Sequence, residues 1–181
     1  MKLSLRFKKS EISHWSSRYQ VDSMEDFMEK KLRPTIQANK YLTSIQLLKL
    51  CKWKTPRTKS GVAKNSEEFI RVVTETAFST PSEQLRIEVL TLLQGVSWPT
   101  ASVLLHFGSS EPYPILDFRA LWSLGLRVPK QYDFQFWWTY TQFGDISRLR
   151  AMLLCVFWIV LFGNFLKKTK SNATFMPHKW T

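Results

Sequence analysis

The sequence predicts an all-α protein that folds as one compact helical domain. Hydrophobic residues make up 44% of the chain and aromatic residues 14%, which is the composition of a globular protein. Apolar residues recur at helical spacing between residues that can cap a helix, and neither a strand-rich stretch nor an internal repeat is found. A length of 181 residues suits a single well-packed domain and is short for two.

The first half of the chain is predicted to form helices separated by a basic loop. Pro34 is expected to break the first helix, because proline has no backbone N–H to donate within a helix. The basic leader lacks the long apolar core of a secretory signal. In order, the predicted elements are a basic arm over residues 1–20, a helix Ser23–Leu32, a helix Thr35–Leu50, a basic loop Thr55–Lys64, and a helix capped by Asn65 or Ser66 that ends near Pro81.

A helix-hairpin-helix motif is predicted next. Ser82 can cap a helix whose apolar residues continue to Leu93. Gly95 can end that helix, because glycine tolerates the left-handed backbone that follows a helix. Pro99 suits the first turn of a second helix, which is expected to run to Gly108. The free amides at its start favour a DNA phosphate, while the alternative is an ordinary helical corner in the core.

A single carboxylate follows this hairpin. The prolines of the stretch 111–114 favour an extended chain, and Asp117 then opens a helix that should continue to Gly125. One interpretation is structural, because capping is the commonest role of aspartate at a helix start. The other interpretation is a catalytic carboxylate, held on a rigid edge beside DNA that the hairpin binds.

The hairpin and the carboxylate together resemble the helix-hairpin-helix DNA glycosylases. The resemblance lies in Leu93-x-Gly95-Val96-x-x-x-Thr100-Ala101 followed by Tyr113-Pro114-Ile115-Leu116-Asp117, with Arg119 and Leu121 in the next helix. The separation between Gly95 and Asp117 is similar to that of the adenine-mismatch and endonuclease-III-like branch. The likeness covers about residues 82–125 of the chain.

The resemblance implies a DNA glycosylase that acts on double-stranded DNA and lacks a lyase step. Asp117 matches the family's catalytic aspartate, which stabilises an oxocarbenium-like sugar and assists water when a flipped base departs. Pro99 stands where bifunctional members carry a nucleophilic lysine. The iron–sulfur cluster of some relatives is excluded, because it needs four thiolates and the sequence has only Cys51 and Cys155. No cofactor and no metal are therefore expected.

Two departures from the family pattern affect the hairpin. Ser97 stands where the family usually has the second glycine of the turn, so a differently shaped turn is expected. Trp98 and Pro99 make the loop bulky, and the proline removes one amide that could hold a phosphate.

The charge of the chain favours a nucleic-acid partner. An excess of basic residues gives a formal net charge of +12, which attracts polyanions in a salt-dependent way. A basic stretch interrupted by Trp53 could follow a phosphate strand and stack on a base, although a buried Trp53 in a solvated loop is the alternative. The predicted DNA-binding residues are Gly95, Val96, Ser97, Trp98, Thr100, Lys52, Trp53, Lys54, Arg57 and Arg119.

Two further features are predicted to be structural. Asp133 opens an aromatic run from Phe134 to Phe143 that is typical of a core helix, with base stacking by one ring as the alternative. His106 lies on the second hairpin helix and is expected to be packed or at the surface rather than catalytic.

The C-terminal part fits the domain least well. The apolar stretch Ala151–Leu166 is shorter than the roughly 20 residues of a bilayer-spanning helix, so a buried core helix is expected, followed by a basic tail over 167–181. Synonymous codons for Leu154–Leu161 can be chosen so that the adjacent frame encodes Met-Arg-Val-Leu-Asp-Arg-Ala, which forms a better amphipathic helix. The second interpretation is thus a native closing helix replaced after about Phe143, with impaired activity.

Two functional classes remain open at this point. The first is a monofunctional glycosylase in the cytoplasm, on the nucleoid or in a nucleus. The second is a non-catalytic DNA-binding module in which Asp117 serves only as a helix cap. A membrane-tethered protein is a third and weaker interpretation.

Overall fold

The computed structural model describes residues 5, 6, 8, 10, 23–56 and 59–145, apart from the side chains of residues 59 and 143–145. This part of the chain is helical and contains no β-strand, which confirms the all-α prediction. The helices are α1 (Ser23–Phe27), a π-helical turn (Met28–Leu32), α2 (Arg33–Asn39), α3 (Ser44–Lys54), α4 (Lys59–Val62), α5 (Glu67–Ser79), α6 (Glu83–Glu88), a 3₁₀ turn (Val89–Leu92), α7 (Trp98–Gly108), α8 (Phe118–Ser123) and α9 (Phe134–Asp145).

Helix α7 forms the centre of the core. Each of its residues from Thr100 to Gly108 is buried, and α2, α3 and α6 pack around it. The ring of Phe78 on α5 lies so close to Gly108 that a Cβ atom there would come within 2.0 Å of it. Because α7 is buried all round from Thr100 to Gly108 and is mostly apolar, it is a core helix and not an amphipathic surface helix.

The aromatic run forms a core helix, as predicted. Asp133 Oδ1 accepts a hydrogen bond from Phe136 N at 2.7 Å just ahead of α9, so Asp133 does open the helix. Trp137 and Tyr140 are almost fully buried, and the Trp137 ring stacks on Tyr113 with 5.8 Å between centroids. The helix therefore packs the aromatic side of the core against the segment that leads to Asp117.

The prediction that Pro34 breaks the first helix is wrong. The chain stays helical from Ser23 to Asn39, and Pro34 lies in the first turn of α2. A π turn precedes it, with Arg33 N bonded back to Met28 O, so the widened backbone accommodates the missing N–H of the proline. The break comes instead at Lys40, which adopts a left-handed backbone with φ 61°.

Two other boundaries differ from prediction. Helix α3 extends to Lys54, so Lys52, Trp53 and Lys54 belong to its last turn and not to a loop, while α4 lies within the stretch predicted as loop. The first hairpin helix is α-helical only to Glu88 and then tightens into a 3₁₀ turn. Short 3₁₀ turns are common where a helix ends.

Local capping signals give the correct helix starts. Ser66 Oγ accepts from Phe69 N, and Ser82 Oγ accepts from Leu85 N, as their positions predict. Thr43 and Gln46 form a capping box at the start of α3.

Parts of the predicted termini lie outside the described residues. These parts are most of the arm over 1–20, the apolar stretch Ala151–Leu166 and the tail over 167–181. Of the arm, Leu5 packs against the core and Arg6 N donates to Ser123 O at 3.0 Å. Among the described helices, none is long and apolar enough to cross a bilayer.

Candidate nucleic-acid interface and acidic site

The hairpin turn has the backbone geometry that its sequence predicts. Gly95 adopts φ 80°, a left-handed conformation that favours glycine. Val96 N donates to Leu93 O at 3.0 Å and closes the turn. The amide of Val96 is therefore used inside the turn, and Ser97, whose side chain makes no capping hydrogen bond, leads into α7 with Pro99 in its first turn.

Two residues that sequence reasoning missed hold this turn in place. Asn65 Oδ1 accepts from Gln94 N at 2.8 Å, while its Nδ2 donates to Gln94 O at 3.0 Å and to Val62 O at 2.9 Å. The backbone of Gly61 approaches the turn so closely that a Cβ atom there would lie 3.0 Å from the Cα of Gly95. The turn is thus held by α4 and by the connection between α4 and α5.

Hydrogen bonds from two helices position the segment that carries Asp117. Leu116 N donates to Ser102 Oγ of α7 at 2.8 Å, and Tyr140 Oη of α9 donates to Ile115 O at 2.9 Å. Ser102 lies in the first half of α7, at the end that follows the hairpin turn. The structure therefore places Asp117 alongside the same end of α7 that carries the hairpin.

Both oxygens of Asp117 have partners. Oδ1 accepts from Arg119 N at 2.9 Å and caps α8, as the structural interpretation predicts. Oδ2 lies 2.8 Å from Nζ of Lys54, and the side chains of Lys54 and Asp117 are only 10% and 13% exposed. The two residues lie 63 positions apart in the sequence, and the predicted DNA-binding lysine and the predicted catalytic acid thus form one ion pair.

Two tyrosines lie close enough to Asp117 to feel its charge. Burial raises the pKa of Tyr140 and of Tyr132 above the ordinary value, and the negative charge of Asp117 adds to this effect at both. Both phenols therefore stay neutral beside the acid at physiological pH. Sequence reasoning assigned Tyr140 to the core and did not single out Tyr132.

An exposed aromatic ring lies next to the acid. Phe118 follows Asp117 in the chain and is 58% exposed, although it is a large apolar residue. The guanidinium of Arg119 lies over its ring, with 5.3 Å from Cζ to the centroid. A flat apolar face beside a cation is a surface on which a nucleobase can stack.

The remaining predicted DNA-binding residues differ in accessibility. Lys52, Gly95 and Ser97 are exposed, whereas the side chains of Val96 and Thr100 are buried. Trp53 is partly buried and packs edge-on against Phe107 at 5.9 Å, in line with its core alternative, and Trp98 is also partly buried. Arg57 lies outside the described residues.

His106 is packed in the core, as predicted. Its side chain is 8% exposed, its Nδ1 lies 2.8 Å from Tyr113 O, and its Nε2 lies 3.4 Å from Glu29 Oε1. A carbonyl and a carboxylate are both acceptors, so only the imidazolium form donates to both. The hydrogen bond from His106 is the main cause that lowers the pKa of Glu29.

Comparisons with known proteins add no family assignment. No protein-family model, no curated protein and no solved structure matches this chain. Within the described residues, no group of three or more histidine, cysteine, aspartate or glutamate side chains is placed to hold a metal ion.

Proposed function

We propose that this protein is a monofunctional DNA glycosylase that hydrolyses the N-glycosidic bond of a flipped, altered base. The observation that carries the proposal is the position of Asp117, fixed beside the hairpin end of α7 by the bond from Leu116 N to Ser102 Oγ. A carboxylate held there can stabilise the positive charge that develops on the sugar and orient the attacking water. The exposed Phe118 ring offers a stacking surface for a base near that carboxylate.

The absence of a lyase step is part of the proposal. Pro99 has no amine at the hairpin position where the resembling bifunctional enzymes carry a lysine. The described residues place the Lys54 amine near Asp117, and this amine is paired with an anion, which is the Asp117 carboxylate in the protein without DNA. The expected products are therefore abasic sites, with strand breaks only after alkali.

A non-catalytic DNA-binding module is the second candidate function. The observation that favours it is that Asp117 already has two structural roles, since Oδ1 caps α8 and Oδ2 pairs with Lys54. A protein in which Asp117 only caps α8 and pairs with Lys54 would keep the turn at Gly95 and exposed lysines such as Lys52 for DNA binding, without chemistry.

The test is incubation of the protein with duplexes that carry a panel of altered bases and mismatches, followed by alkali. We expect alkali-dependent cleavage by the wild type and its loss in Asp117→Asn, because asparagine keeps the cap but carries no charge. Asp133→Asn is the matched control, since Asp133 also opens a helix and is exposed. Cleavage that survives Asp117→Asn contradicts the catalytic role, and binding without cleavage across the panel favours the module.

A further inference from the structure

The ion pair between Lys54 and Asp117 conflicts with the chemistry proposed for Asp117. A carboxylate stabilises a positively charged sugar through its own net negative charge. The Lys54 ammonium, 2.8 Å from Oδ2, cancels most of that charge at the distance of a substrate. While the pair is closed, a cation developing on the sugar meets a neutral pair rather than an anion.

Lys54 is the member of the pair that can move away. Asp117 is held by its cap to Arg119 N and by the anchored backbone of Leu116. Lys54 is the last residue of α3, and its ammonium lies at the end of a flexible four-carbon stem. The exchange requires rotation of that stem, which moves Nζ away from Asp117 while the backbone of α3 stays in place.

DNA supplies the anion that can replace Asp117. Lys52 on the same helical turn is exposed, as is Lys49 one turn earlier, so this end of α3 presents positive charge to solvent. Phosphates follow one another along a DNA strand, so a strand drawn to this end of α3 by Lys49 and Lys52 can bring another phosphate to Lys54, which exchanges its charge-assisted hydrogen bond to Asp117 for one to that phosphate. The ammonium then stays paired throughout, which avoids the cost of an unpaired partly buried charge.

We propose that Lys54 pairs with Asp117 in the DNA-free protein and with a backbone phosphate in the complex, so that DNA binding unmasks the carboxylate. This inference rests on the proposed function, which supplies the DNA. Lys54 is then a positioning residue that makes the charge of Asp117 available only when DNA is bound.

A double-mutant cycle on DNA affinity tests this exchange without a known substrate base. The probe is a duplex with a tetrahydrofuran abasic-site analogue, which has no N-glycosidic bond to cut. The cycle compares wild type, Asp117→Asn, Lys54→Met and the double variant, with each dissociation constant measured over a range of salt concentrations.

The exchange predicts coupling between the two sites. Asp117→Asn should bind the duplex about tenfold more tightly than wild type, because Lys54 no longer has to leave an ion pair. In the Lys54→Met background, Asp117→Asn should increase the affinity for the duplex only as much as Asp133→Asn increases it in the wild type. Lys54→Met alone should lower the slope of log affinity against log salt by about one.

Lys52→Met is the matched lysine control. It removes an exposed ammonium from the same helix, so the gain from Asp117→Asn should persist in that background. Circular dichroism checks that each variant is folded, and Asp117→Ser, which also caps a helix, replaces the asparagine variant if that one unfolds.

Two results overturn the exchange while leaving the proposed function in place. The first is an equal increase in DNA affinity from Asp117→Asn whether Lys54 is present or replaced. The second is a slope of log affinity against log salt that is unchanged in Lys54→Met. Failure of the wild type to bind any duplex overturns the proposed function, and the exchange falls with it.

Discussion

At the residue scale, burial decides which groups are available for chemistry. Cys51 lies on α3 in the core and is fully buried, as are Leu47 and Leu50 of the same helix. Burial raises the pKa of the Cys51 thiol to about 12, because a thiolate is poorly solvated among apolar side chains. The thiol is therefore neutral at physiological pH and inert toward electrophiles.

The reactivity of Cys51 gives a direct check of the core. In Cys155→Ser protein, where Cys51 is the remaining thiol, iodoacetamide at pH 8 should react at least about 100-fold more slowly in buffer than in concentrated urea. Mass spectrometry measures the extent of modification with time. Rapid stoichiometric labelling of the native protein would show that α3 is not packed as described.

The Lys54–Asp117 pair shows where sequence reasoning stops at this scale. Asp117 is predicted as a helix cap from its place after an extended segment, and the structure confirms the cap because it depends on neighbouring residues. Lys54 is singled out only as one charge in a basic stretch. Its contact with Asp117 spans 63 positions and depends on the tertiary fold that brings the end of α3 to the start of α8, which no local pattern records.

At the element scale, the hairpin is a turn that needs outside support. The left-handed Gly95 and the 3₁₀ turn that precedes it are local features, and the glycine predicts the turn. Gly61 of α4 and Asn65 of the connection between α4 and α5 supply the support, and nothing near them in the sequence indicates that role. The same limit explains Pro34, where proline indicates a helix end but a π turn beside it lets the helix continue.

The support from Asn65 can be measured by removing it. Asn65→Ala should lower the free energy of unfolding by about 1 kcal/mol, since it removes the hydrogen bonds to Gln94 at an exposed position where water can replace them. Asn65→Asp keeps an acceptor for Gln94 N and should lose less. Urea denaturation measures the free energy of unfolding of both variants. An alanine variant as stable as wild type would mean that the turn does not depend on the hydrogen bonds from Asn65.

At the scale of the whole molecule, the hydrogen bonds of one histidine connect distant parts of the fold. His106 on α7 bonds to Tyr113 O in the segment before α8 and to Glu29 in the π turn. The pKa of Glu29 is lowered by this hydrogen bond first and by Arg33 as well, against the opposing effect of burial. The folded protein therefore holds Glu29 in its charged form at lower pH than the unfolded chain does.

The sign of the resulting pH dependence follows from this lowered pKa. The stabilising contribution is present above the ordinary pKa of about 4.5 and is lost as pH falls through the lowered value. Urea unfolding should show wild type more stable than Glu29→Gln at pH 7, by about 1 kcal/mol after allowance for partial exposure, and equal to it in strong acid.

Glu75→Gln serves as the control for that measurement. It removes a carboxylate from an exposed ion pair with Arg71, where the two atoms lie 4.0 Å apart. A difference in the free energy of unfolding between wild type and Glu29→Gln that does not change with pH would contradict the role given to the contact between Glu29 and His106.

The burial of α7 has a consequence for any attempt to divide the protein. The second half of the hairpin is the central helix of the domain, and its side chains from Thr100 to Gly108 find their partners on surrounding helices. A peptide cut to the hairpin alone would expose that apolar surface to water and would have no reason to stay helical. The unit that holds Gly95 and Asp117 in their positions is therefore the described bundle of helices and not the turn alone.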